Sequence, residues 1–132
     1  MQRLVNSFKS NPKRLFIIDG LGALFSAFML GIVLVRHQSL FGIPISVLYI
    51  LASLPIVFAF LDLTFYIFGQ KQLGRFLIII ALINIFYCFI SLGFAFYHYN
   101  SLTTLGWAYI LIEILIVLTL ANIEFKVAIR YL

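Results

Sequence analysis

From residue 76 to residue 112 the chain runs for 37 residues without a single Asp, Glu, Lys or Arg. A helix rises 1.5 Å per residue, so about 20 residues cross a hydrocarbon core of about 30 Å. A charge-free run of this length therefore fits most of two crossings and the link between them. The apolar blocks lie at 15–35, 43–68, 76–97 and 105–125. Soluble domains average about 25% charged residues, whereas this chain has 10% charged and 64% hydrophobic residues. A water-facing surface cannot be made from it. Strands of a membrane barrel alternate apolar and polar residues, and these blocks do not. The expectation is an all-α integral membrane protein: one transmembrane domain, 1–132, forming a four-helix up-down-up-down bundle. The first block is longer than a leader's apolar region and no A-x-A-like site follows it, so a retained helix is expected.

The sequence carries a net charge of +5, and its distribution decides what the charge means. Arg3, Lys9, Lys13 and Arg14 precede the first block, Lys71 and Arg75 separate the second from the third, and Lys126 and Arg130 follow the fourth. Only Arg36 falls on the other side. By the positive-inside rule both termini are cytoplasmic in a multi-pass protein of the cell (inner) membrane. The basicity then reads as topology and as contact with anionic headgroups of the bilayer, not as nucleic-acid binding. Cys88 is the sole cysteine, which excludes a disulfide within the chain and a CxxC redox pair.

Short links, "RHQSLFG", "GQKQLGR" and "HYNSLTT", make successive helices antiparallel neighbours. Pro44 suits the first turn of the second span, and Pro55, mid-span, is expected to kink that helix by freeing the carbonyl of Leu51. Ahead of the first span, Met1, Leu4, Val5 and Phe8 follow helical spacing over 1–11, up to Pro12. They read either as an interfacial helix or as a frayed basic tail.

The polar residues share faces. In the first span Ala23, Ala27 and Gly31 form a small-xxx-small packing stripe, with Asp19 four residues before Ala23 and Ser26 beside Ala27. Asp62 joins Ala52, Pro55, Ala59 and Tyr66 in the second span. Asn84 joins Ala81, Cys88, Ser91 and Ala95 in the third. In the fourth, Glu113 and Glu124 lie eleven residues apart, about 20° from eclipsed, with Tyr109, Val117 and Ala121. Polar groups facing lipid go unsatisfied, so the four stripes should converge. Counting depth, Asp19, Asp62 and Glu124 form an inner acidic layer within reach of Arg14, Lys71, Arg75 and Lys126. Ion pairs that fix helix register are the plain expectation there, and a proton or cation site is the alternative. Glu113 and Asn84 fall near the midplane and are expected to hydrogen-bond to one another as a buried polar centre.

Three functional classes follow. The first is a non-enzymatic bundle that acts through helix–helix association, as a homo-oligomer or with a larger membrane-protein partner. A small proton- or cation-coupled carrier is the second, with Glu113, Asn84, Asp19 and Asp62 lining the pathway. In the third, a weaker haem or quinone binder, His37 and His98 are candidate ligands at the outer end. No cofactor and no catalytic residue is otherwise indicated: no nucleophile shares a depth with a histidine, and the glycines of "DGLGALFSAFMLG" lie inside a span rather than in a phosphate-cradling loop.

The stretches "DGLGALFSAFMLGIVLVR" and "FGIPISVLYILASLPIVFAFLD" resemble those of a group of small four-helix bacterial membrane proteins. That group has no assigned activity to carry over. Small multidrug transporters share the size and helix count, but their essential glutamate lies in the first helix, where this chain has Asp19; the likeness is one of size.

Overall fold

The computed structural model describes residues 2–132; Met1, the first residue of the N-terminal stripe, lies outside them. Every regular element among the described residues is helical. Helix α1 is Gln2–Ser10, α2 Lys13–Arg36, α3 Gln38–Phe41, α4 Ile45–Phe68, α5 Leu73–Tyr97 and α6 Thr104–Arg130. Helices α2, α4, α5 and α6 are long and apolar enough to cross a membrane. Helix α4 begins behind Pro44, whose ψ of 141° keeps it outside the helix while its carbonyl accepts from the Leu48 N–H. Helix α6 continues to Arg130, beyond the apolar block that ends at 125, and this sets the depth of its carboxyls.

Apolar burial gives little drive for helix association in a lipid solvent, so close backbone approach and polar contacts hold the helices together. Helix α2 packs along α4, and α5 along α6, whereas no comparable seam joins α2 to α6. The α2–α4 seam is set by glycines. A Cβ on Gly31 would sit 3.3 Å from Ala52 Cβ, and one on Gly20 would sit 3.4 Å from Asp62 Cβ. At 100° per residue Gly20, Ala27 and Gly31 share one face of α2, while Asp19, Ala23 and Ser26 lie on the adjoining one. The small-residue stripe and the polar stripe are thus neighbouring faces with different partners. Around Gly31 the helix widens into a single π-helical turn, Met29–Val33, a rare local form that three-and-four spacing does not reveal.

Two apolar clusters close the bundle. One gathers Leu30, Leu34, Ile43, Leu48, Leu51 and Ile110 near the α2–α4 connection, with Tyr87 at its edge. The other places Val5 of α1 against Leu15, Phe16, Leu77, Val127 and Ala128. Val5 is 1% exposed, and the Tyr131 hydroxyl donates to the Lys9 carbonyl. Helix α1 therefore docks on the bundle end through Val5, while Leu4 stays exposed.

The opposite end is clamped by one residue. Thr103 caps α6 by accepting from the Gly106 N–H at 3.1 Å, its hydroxyl donates to the Leu40 carbonyl at 2.6 Å, and its own N–H donates to the Phe41 carbonyl at 3.1 Å. Gly42, with φ of 72°, turns the chain between α3 and α4 in a conformation that side chains disfavour.

Candidate functional site: a carboxyl-lined cavity

All four acidic residues of the chain are buried. They form two groups, and the grouping differs from the layers expected from sequence. Asn84 of α5 does not bond Glu113. Its amide nitrogen donates to Asp19 Oδ1 of α2 at 2.7 Å and to Glu124 Oε1 of α6 at 3.0 Å. The axial offset of α5 and α6 decides this: Glu124, six residues before the end of α6, comes level with Asn84, eleven residues after the start of α5. Asn84 thereby bridges the two helices that otherwise share no seam.

Asp62 of α4 completes this group. Asp19 lies within hydrogen-bonding reach of both Asp62 and Glu124, a contact that needs a shared proton; among the described residues no other group bonds either oxygen of Asp62 or Glu124 Oε2. The ion pairs expected here are replaced by this arrangement: Arg14, Lys71, Arg75 and Lys126 are exposed, whereas the three acids are buried. Lys13, at the start of α2, has its amine 5.3 Å from the centre of the Tyr66 ring. Ionised carboxylates are acceptors only, so adjacent carboxyls either share a proton or repel one another. Two unit charges roughly 4 Å apart repel by about 4 kcal/mol at an effective dielectric of about 20. A bound proton relieves that repulsion without a counter-ion.

Glu113 is the second group. Tyr87 of α5 donates to its Oε1 at 2.7 Å, and Tyr109, one turn earlier on α6, donates to its Oε2 at 2.9 Å. Ser26 of α2 stands beside the same carboxyl. The Tyr87 ring is held edge-on by Phe58 of α4, centroids 6.0 Å apart. Sequence spacing did not single out Tyr87, although it lies three residues past Asn84 and so on the same face. Its phenol is the partner that the midplane carboxyl requires.

The groups meet at a cavity of about 270 Å³ whose polar wall is Asp19, Ser26, Asn84, Tyr87, Tyr109 and Glu113. No Lys, Arg or His lines it. Ala23 belongs to its wall, and Gly31 is closed by Ala52, so these two members of the packing stripe are engaged within the chain. Asp62 lines a separate groove between α2 and α4 with Phe16, Gly20, Leu24, Phe60 and Tyr66. Cys88 Sγ lies 4.0 Å from the Ile114 carbonyl, and the buried Ser91 hydroxyl has no partner.

His37 is exposed at the end of α2, and His98 is half-buried at the end of α5 with its ring edge-on to Tyr97. Among the described residues no group of three or more His, Cys, Asp or Glu side chains could hold a metal ion.

The chain matches no family model, no curated protein and no solved structure.

Proposed function

We propose that this multi-pass membrane protein binds and carries protons through its buried carboxyls, coupled to the movement of a solute. The observation that supports the reading is the environment of Glu113. It is 7% exposed and receives two tyrosine hydroxyls in the wall of a cavity without a cation. A carboxyl within a span costs roughly 2.5–3.5 kcal/mol on insertion scales. A residue kept only to hold helices together could be replaced by a glutamine at less cost. The Asp19–Asn84–Glu124 bridge and the adjacent Asp62 add a second set of acceptors on which protons can reside.

In this reading the spans alternate in direction, and both termini lie on the cytoplasmic side with eight of the nine basic residues. Association with a second chain through Ala23, Ala27 and Gly31 is less well supported, because Ala23 and Gly31 already serve the chain's own interior. The haem or quinone reading has no geometric support beyond the two histidines at helix ends.

The test is charge movement in proteoliposomes adsorbed on a solid-supported membrane. A pH step gives a transient current with the wild-type protein and none with Glu113→Gln, whose circular dichroism matches wild type. Wild-type liposomes as silent as protein-free ones overturn the reading.

A further inference from the structure

The cavity at Glu113 is not sealed. Gly22 and Phe25 of α2 and Ile112 and Ile116 of α6 line it and are also exposed on the outer surface of the bundle. Phe25 is 65%, Ile112 58% and Ile116 63% exposed. These residues face each other across the one side of the bundle where two long helices share no packing seam. A Cβ on Gly22 would meet nothing within 4 Å, which marks the gap from the other direction.

The depth of the gap selects what can use it. Gly22 and Phe25 lie near the middle of α2, Lys13–Arg36, and Ile112 and Ile116 near the middle of α6, Thr104–Arg130. An opening at mid-span faces acyl chains and not headgroups or water. A solute using it must first dissolve in the hydrocarbon, which excludes hydrated inorganic ions and sugars. Inside, it meets two walls of opposite kind. One presents Glu113 and Asp19 with their tyrosine and asparagine donors already committed, and so offers acceptors and negative charge. The other is Phe25, Phe58, Ile116, Val117 and Leu120, apolar and partly aromatic. The complement of such a cavity is an apolar body that carries one positively charged donor, held by a charge-assisted hydrogen bond to a carboxylate and by aromatic faces around it.

We infer that the cavity takes membrane-soluble amines, which enter sideways from the bilayer between α2 and α6 and place the ammonium group on Glu113. The inference rests on the proton-carrier reading for its coupling, and it supplies the class of solute. An amine dissolves in the bilayer as the neutral base and takes the proton held by the Glu113 carboxyl: the O–H bond breaks, an N–H bond forms, and an ammonium–carboxylate pair remains.

Equilibrium and stopped-flow binding of 2-phenylethylamine to the protein in lipid nanodiscs tests the inference. Wild type is expected to bind it saturably, and Glu113→Gln roughly tenfold or more weakly, the loss of a charge-assisted hydrogen bond. Gly22→Leu fills the gap without touching the backbone and is expected to slow association by a similar factor. Tetramethylammonium, which stays in water, is expected not to compete. The inference is overturned if wild type shows no saturable binding, if Glu113→Gln binds as well as wild type, or if tetramethylammonium competes equally. A pH-step current without amine binding discards this solute class and leaves the proton reading standing; amine binding without a current does the reverse.

Discussion

The Tyr87 hydroxyl donates to Glu113 Oε1 at 2.7 Å, which ties the middle of α5 to a carboxyl on α6. Tyr109 takes the other oxygen from within α6, so the Glu113 side chain is held from two sides. Phe58 of α4 orients Tyr87 in turn. Three helices thus determine where one carboxyl points.

Removing the Tyr87 hydroxyl leaves Glu113 Oε1 without its donor in a buried site. Tyr87→Phe is expected to lower unfolding free energy in bicelles by about 1 kcal/mol, the scale of interhelical hydrogen bonds in membranes. Glu113→Gln should cost less. Its amide oxygen accepts from one tyrosine while its NH₂ donates to the other. Steric-trapping measurements on the two variants check the order.

Asn84 spends both amide hydrogens, on Asp19 and on Glu124. Asn84→Leu deprives two buried acceptors at once and removes the amide that bridges α2 to α6. The expected loss is about 2–3 kcal/mol, larger than for Tyr87→Phe in the same assay.

Asp62 should respond with the opposite sign. Its oxygens meet no donor other than a proton shared with Asp19, so an amide of the same shape supplies a fixed donor and relieves the carboxyl–carboxyl repulsion. Asp62→Asn is expected to raise stability by about 1 kcal/mol. A marked loss would mean that the carboxyl has a partner which this geometry lacks.

Gly31 lies in the α2–α4 seam with Ala52 across it, where an added Cβ would sit 3.3 Å from the Ala52 Cβ. Gly31→Leu overpacks the seam and should cost about 1–3 kcal/mol, whereas Gly31→Ala requires only a few tenths of an ångström of adjustment. Thermal aggregation in detergent, followed for both variants, distinguishes them.

Sidedness is checked with single cysteines on a Cys88→Ser background. Asn100→Cys should react with an impermeant maleimide added to intact cells, and Gln72→Cys only after permeabilisation. The reverse pattern would invert the topology.

Much of this architecture is legible in the chain, because hydrocarbon thickness fixes helix length and unsatisfied polar groups must turn inward. The four apolar blocks and the inward position of Asp19, Asp62, Asn84, Glu113 and Glu124 follow from that rule alone. The pairing among them does not. It depends on the axial offset of the helices, which block boundaries do not give: α6 continues through Lys126, Val127, Ala128, Ile129 and Arg130, past the block that ends at 125. That offset sets Glu124 level with Asn84 and leaves Glu113 to the tyrosines. Basic residues near the helix ends that hold Asp19 and Glu124 suggest ion pairs, yet long side chains at a boundary reach outward to water more readily than inward. In "DGLGALFSAFMLG" Gly20 is one glycine among several, and only the packed pair reveals that it closes against Asp62.

The central claim is that Glu113 exchanges a proton within the membrane, and pH-jump infrared difference spectroscopy on reconstituted protein tests it most directly. A carboxyl carbonyl band that changes with pH should be present in wild type, absent in Glu113→Gln, and shifted in frequency in Tyr87→Phe. Wild-type and Glu113→Gln spectra that superimpose would contradict the account.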